Sequence, residues 1–378
     1  MALVLNDDEQ MMRDTAEGFF RDKAPVSELR RLRDSADETG FSRELWAEMG
    51  EMGFAGVLVP EDHGGVEMGF MTAGLIAEAM GANLSASPFF STSVLAATAL
   101  ASGTDAQKGE WLPRIAAAQT VLALAIDEGA KHNPERVATR AQASGNGFKL
   151  SGEKAMVVDG HVADALIVVA RTSGEDDDAD GLSLFVVPAD ADGLEIERTQ
   201  MVDSRNAARI RLNDVQVEGD ALLGPLDGGR ETVERVLAAG RAVAAAELLG
   251  SGQRAFDTTV EYIKGRRQFG TEIGSFQALQ HRASHLYSEM EIARSAVLAA
   301  LTALDEGHED AHAYARMAKA KLGQVAKLAG LEGIQMHGGV GMTDEYDIGL
   351  YLKRIRVLQE LLGDANHQAD RLARGKGY

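Results

Sequence analysis

Two stretches of this 378-residue sequence carry groups suited to gripping an anionic ligand. Arg266-Arg267-Gln268-Phe269-Gly270 closes a long helical pattern and turns the chain at Gly270. A guanidinium there can hold a diphosphate in a planar, bidentate way that a lysine cannot. The same residues also make a basic helix C-terminus that complements the helix dipole. Gln335-Met336-His337-Gly338-Gly339-Val340-Gly341 follows another helical pattern. Its glycines permit close backbone approach and positive φ, although the stretch alone also reads as a helix cap and turn. No βαβ unit surrounds it, and its spacing differs from GxGxxG. His337 has no second histidine or carboxylate at ligand spacing, so it reads as a packing or hydrogen-bonding residue. No metal site is expected. The acidic run Glu175–Asp178 reads as a solvated hairpin tip, and the absence of cysteine excludes thiolate metal sites, iron–sulfur clusters and disulfides.

The elements that must position these groups fall into three blocks. Asn6 and Glu9 have capping-box spacing ahead of the helical pattern of Met12, Ala16, Phe19 and Phe20. Helical patterns continue over Arg43–Met52, Phe70–Met80 and Thr92–Ala101, interrupted by the Pro60–Gly65 turn and by Pro88. After Gln119 come short β-rich runs at Val121–Ile126, Arg136–Ala141, Phe148–Val158, Ala165–Ala170, Leu182–Val187, Leu194–Arg198 and Ala208–Leu212, a spacing that suggests an antiparallel sandwich or barrel. Four long helical patterns then follow: Glu231–Lys264, Phe276–Glu306, Ala311–Met336 and Asp347–Arg374. The order predicts an α+β, mainly α, chain with an N-terminal helical domain (1–118), a middle antiparallel β-domain (119–225) and a C-terminal four-helix bundle (226–378). The net charge of −20 argues against a broad nucleic-acid surface while leaving room for a locally held anionic cofactor. The acidic N-terminal stretch, and apolar runs too short to span a bilayer, give the expectation of a cytoplasmic protein without membrane insertion.

Five strings in order carry a family resemblance over essentially the whole length. They are Gly53–Gly65 (GFAGVLVPEDHGG), Thr104–Ala116 with Gln107, Lys108, Leu112 and Pro113, Gly152–Gly160 (GEKAMVVDG) followed by Ala163-Asp164, Arg266–Gln277 (RRQFGTEIGSFQ) and Gln335–Glu345 (QMHGGVGMTDE). With them the chain resembles the acyl-CoA dehydrogenases, FAD enzymes that oxidise an acyl-CoA thioester to a trans-2-enoyl-CoA and pass electrons to an electron-transferring flavoprotein or similar acceptor. The resemblance implies that Arg266, Gln268, Phe269, Phe276, Gln277, Gln335, Gly338 and Gly339 serve the ADP half of a neighbouring protomer's FAD, in homo- or hetero-oligomers that are dimers of dimers. Tyr351–Arg354 (YLKR) and Leu362–His367 (LGDANH) are similar to the small subunit of pimeloyl-CoA dehydrogenases and related two-subunit systems.

Where the chain departs from the family pattern, the departures cluster. The family's reaction needs a carboxylate in a dry pocket to take the α-proton. Its usual position falls on Leu362 and its minority position on Gly240, before Arg241, so neither carboxylate is present. The segment that offers hydroxyl donors to the flavin edge falls on Ile126–His132, with Ile126 and His132 replacing the hydroxyls. The Trp-x-Thr of the flavin-side hairpin becomes Met156 and Val158. Three readings follow. The chain is the degenerate partner of a heteromeric enzyme; or it is self-sufficient with Asp364, beside Gly363, as a relocated base; or it is a non-catalytic scaffold. Asp364 equally reads as a local cap. Glu360 ranks below it, since on a helix it points about 160° away from Leu362.

Overall fold

The computed structural model describes residues 4–378. Residues 1–3, part of the acidic N-terminal stretch, lie outside the described residues. Helices α1 (Asp7–Lys23), α2 (Val26–Asp34), α3 (Arg43–Glu51) and α4 (Gly69–Asn83) lead to a π-helical segment, Phe89–Ala96, which runs into α5 (Ala97–Leu100) and is followed by α6 (Asp105–Ala116). Strands β1 (Leu122–Ala125), β2 (Arg140–Ser144), β3 (Gly147–Val158), β4 (Ala165–Arg171), β5 (Leu182–Pro188), β6 (Leu194–Gln200), β7 (Asn206–Glu218) and β8 (Leu222–Leu223) come next. The chain closes with α7 (Arg230–Gly265), the short hairpin β9 (Arg267–Gln268) and β10 (Thr271–Glu272), then α8 (Gln277–Asp305), α9 (Ala311–His337), α10 (Ile348–Glu360) and α11 (Ala365–Gly375). Among the described residues no helix is long and apolar enough to cross a membrane.

Two compact units result: Leu32–Gly69 with Ser87–Gly240, and Met1–Arg31 with Phe70–Ala86 and Arg241–Tyr378. The first holds the sheet, in the order β6-β7-β3-β2-β4-β5-β8 with β1 beside β4. Most pairings are antiparallel, the longest running from Gly147↔Glu218 to Val158↔Ala207, whereas β1 and β2 pair parallel with β4. Every residue of β4 is buried, which matches its continuous apolar run. Thr104 and Gln107 form a capping box at the start of α6, and Gln107 Nε2 also donates to the carbonyl of Asp220 (2.8 Å), tying that helix to the segment before β8. Strand β2 begins later than its β-rich run implies. The amides of Ala138 and Thr139 donate to the Glu128 carboxylate (2.7 and 2.9 Å), so the ladder starts only at Arg140.

The second unit is helical. Asn6 and Glu9 make the expected reciprocal cap on α1 (2.9 and 2.8 Å). Helices α4 and α7 pack almost backbone to backbone, since a Cβ on Gly250 would stand 1.9 Å from the carbonyl oxygen of Glu78. Arg354 and Glu247 form a bidentate ion pair (2.8 and 3.0 Å) between α10 and α7, with side chains 6% and 3% exposed. The last of the four expected helices is split in two. The chain leaves α10 at Leu361, passes through Leu362 at φ +56° and Gly363 at φ +98°, and restarts at Ala365.

Candidate functional site

Arg266 follows the last turn of α7, its amide donating to the Tyr262 carbonyl (2.9 Å). Its side chain is exposed and makes no hydrogen bond or ion pair among the described residues, in contrast to Arg267, which faces Glu272 at 3.5 Å. Glu261, Tyr262, Gly265, Arg266, His337, Gly339, Val340 and Tyr346 line one cavity of about 660 Å³. The helix α9 ends at His337 and turns at Gly338 (φ +65°, ψ −142°), backbone that favours glycine. A Cβ on Gly338 or Gly339 would meet nothing within 4 Å, so this loop faces open space. A free guanidinium and an open glycine backbone at one cavity are the donor set a diphosphate requires.

Of the other residues implied for the cofactor, none lines that cavity. Gln268 ends β9, paired with Thr271, and Phe269 stands at the tip of the β9–β10 hairpin, 93% exposed at φ +55°, with Gln268 Nε2 turned back on the Arg267 carbonyl (2.7 Å). Phe276 meets Phe269 edge-on at 6.3 Å, Gln277 opens α8, and Gln335 is exposed on the last turn of α9. Tyr262 and Tyr346 were not singled out from the sequence. Tyr262 sits four residues before Arg266, on the same face of the helix, which is the one signal that could have found it.

At the family's main base position Leu362 is 4% exposed, and its turn is heavily anchored. Its carbonyl accepts from Gln368 Nε2 (2.7 Å) and Arg241 Nε (3.3 Å). Lys319 Nζ donates to the carbonyls of Gln359 (3.0 Å) and Gly363 (3.1 Å). Burial, reinforced by Arg241, lowers the Lys319 ammonium to about 7 against the opposing pull of Glu360 and Asp364. Asp364 is the N-cap of α11, its Oδ1 accepting from the His367 amide (2.8 Å). The carboxylate of Glu360 faces Arg356 at 2.7 Å.

In the strand-bearing unit, the segment matched to the flavin edge is bonded to its own chain. Asp127 accepts from the Asn133 amide (3.1 Å) and pairs with His132 Nδ1 (2.8 Å), whose side chain is 2% exposed. Glu128 accepts from Ala138, Thr139 and the fully buried Lys154 Nζ (2.7 Å). Burial pushes the Glu128 carboxyl up, but Lys154 and the amide donors outweigh it and hold the group below its ordinary value. The ammonium of Lys154, more deeply buried, is lowered by desolvation despite Glu128. Met156, in place of the hairpin's aromatic wall, is 48% exposed at φ +54° within an irregularity of the β3–β7 ladder.

Comparisons with known proteins identify the family and the fold. Family models for the acyl-CoA dehydrogenase N-terminal, middle and C-terminal domains match residues 6–119, 124–215 and 227–377. Acyl-CoA dehydrogenase FadE12 of Mycobacterium tuberculosis is 32% identical over 334 residues, covering 86% of this chain and 85% of its own. Among solved structures, the Tcur3481-Tcur3483 steroid ACAD is 29% identical with a TM-score of 0.88, covering 98% of this chain and 99% of its own. The ChsE4-ChsE5 complex from Mycobacterium tuberculosis is 25% identical with a TM-score of 0.89, covering 100% of this chain and 99% of the other.

Proposed function

Because the chain belongs to the acyl-CoA dehydrogenase family, we propose that it is the degenerate partner in a heteromeric, FAD-dependent enzyme that converts an acyl-CoA thioester to a trans-2-enoyl-CoA. One observation carries this reading: Arg266, whose guanidinium has no partner among the described residues, and Gly339 line one open cavity, whereas the carboxylates of the flavin-edge segment are engaged by their own chain. Arg266 and the backbone at Gly338–Gly339 hold the diphosphate of a cofactor shared with a neighbouring protomer. Gln268, Phe269, Phe276, Gln277 and Gln335, on the hairpin and the adjoining helix ends, would serve the same half of the cofactor outside the cavity lining. Bound FAD would supply the hydride-accepting chemistry, with an electron-transferring flavoprotein or similar partner as the electron acceptor. The α-proton goes to a carboxylate of a homologous subunit, because Leu362 and Gly240 offer none.

Three domains with boundaries near 118/119 and 225/226, assembled as a dimer of dimers, complete the proposal. The names of two similar structures, a paired steroid ACAD and a two-protein complex, support a heteromeric arrangement. The YLKR and LGDANH endings support the small-subunit type of the pimeloyl-CoA dehydrogenases, and a dicarboxylyl or alicyclic acyl group is the substrate class proposed with it. A self-sufficient enzyme would need Asp364 to act as base, and its carboxylate is engaged as a helix cap. A pure scaffold would have no use for an unpaired guanidinium beside an open glycine loop. Expressed alone, the chain is expected to be colourless and inactive towards acyl-CoA substrates; a yellow homo-oligomer that turns them over would end the proposal.

A further inference from the structure

Three rings from separate stretches meet at the cavity. Tyr262, near the end of α7, stacks on His337, the last residue of α9, with centroids 4.2 Å apart and planes at 24°. Tyr346, two residues before α10, stands edge-on to Tyr262 (5.8 Å) and lies at 5.6 Å from His337. Polar contacts fix the stack. His337 Nδ1 lies 2.7 Å from the Gly333 carbonyl, so this nitrogen carries the proton and donates it, and the Tyr262 hydroxyl donates to the His337 carbonyl (3.3 Å). Burial lowers the affinity of the imidazole for a second proton, against the opposing pull of the Gly333 carbonyl. Its Nε2 is buried and makes no hydrogen bond among the described residues, and at 3% exposure the ring has little surface to offer a ligand. Whatever His337 contributes therefore passes through its neighbours.

Those neighbours are the two halves of the cradle. Arg266 sits one helical turn beyond Tyr262, and Gly338 follows His337 directly. The stack thus couples the helix end that carries the guanidinium to the first peptide of the glycine loop.

We infer that the Tyr262–His337–Tyr346 stack is a positioning device that holds Arg266 and the Gly338–Gly339 backbone at the common spacing a cofactor diphosphate needs. This inference rests on the proposed cofactor reading. A positioning role differs from plain packing in what it moves: cofactor affinity should fall while turnover of the loaded enzyme stays.

The test uses the assembly that purifies with a tag on the full-length chain, stripped of flavin and titrated with FAD. Tyr262→Phe, which keeps the ring and loses the hydroxyl, should weaken FAD binding by roughly 2- to 10-fold, the range for one neutral hydrogen bond. Tyr262→Leu, which also removes the stack, should weaken it by about 10- to 100-fold. His337→Phe keeps the stack without the Gly333 anchor and should fall between wild type and Tyr262→Leu. In each variant kcat at saturating FAD should stay within about twofold of wild type, since a contact to the diphosphate is equal in ground and transition states and its loss weakens binding without changing the chemical step. If wild type binds FAD and Arg266→Ala weakens it while Tyr262→Leu leaves affinity unchanged, the stack is packing only and the inference is overturned with the cofactor reading intact. A fall in kcat at saturating FAD also overturns it. A wild-type assembly that binds no FAD overturns both. The mild Tyr262→Phe variant keeps the test decisive if Tyr262→Leu fails to fold.

Discussion

Replacing Arg266 by alanine separates cofactor binding from folding more cleanly than any other single change. Its guanidinium has no partner among the described residues and lies in solvent, so its loss should alter stability by no more than about 0.5 kcal/mol. Contact with a diphosphate would be a charge-assisted hydrogen bond worth about 1.5–3 kcal/mol, which corresponds to a roughly 10- to 150-fold loss of FAD affinity. The neighbouring Arg267 is a built-in control. It is also exposed and carries the same charge, but it faces Glu272 and lies outside the cavity lining. Arg267→Ala should therefore change FAD affinity by less than about threefold, the small effect expected of a screened surface charge. Arg266→Lys should recover part of the loss, because an ammonium restores charge without the planar fork. Fluorescence titration of FAD into the stripped assembly, with thermal melts of each variant, measures both quantities. Equal effects of the two alanine variants, or no effect of Arg266→Ala, would refute a specific diphosphate contact at this position.

Three other predictions follow from the same geometry. Asp364→Asn keeps a good helix cap and should leave stability and turnover of the assembly near wild type, whereas Asp364→Ala should cost about 0.5–2 kcal/mol in denaturant melts without lowering kcat; a large drop in kcat with Asn would restore Asp364 as a base. Lys154→Met leaves the Glu128 carboxylate without its cation and should destabilise the protein by about 3–5 kcal/mol, so an unchanged unfolding midpoint would contradict the ion-pair lock. Lys319 holds its proton to 10.5 when unfolded but only to about 7 when folded, so the unfolded state binds more protons between those values. Wild-type stability should therefore gain from this group as pH rises from about 7 towards 10, with a slope approaching about 1.4 kcal/mol per pH unit that Lys319→Met lacks; identical slopes in the two proteins would reject the assignment.

The long helices were legible in the sequence because apolar residues recur at helical spacing, and α7, α8 and α9 lie within a few residues of their patterns. What the sequence hid depends on contacts between distant residues. Nothing in Arg136–Ala141 says that Glu128 will capture two of its amides and delay β2. The break at Leu362 has only Gly363 as a local signal, since the turn is held by Lys319, Gln368 and Arg241 from other helices. At the candidate site, Arg266 and Gly339 were readable from residue type and spacing. The aromatic stack was not, because Tyr346 joins Tyr262 and His337 only after folding. The closed state of Asp127 and Glu128 was likewise invisible. The sequence showed that hydroxyls were missing, and the structure adds that the carboxylates beside them are already engaged.

The flavin content of the purified protein, counted per polypeptide, tests the division of labour most directly. The chain expressed by itself should carry no bound FAD, and should show half-stoichiometric FAD once it is assembled with a homologous subunit that supplies the flavin-side residues and the carboxylate. Full occupancy of every copy in a preparation of this chain alone would contradict that division.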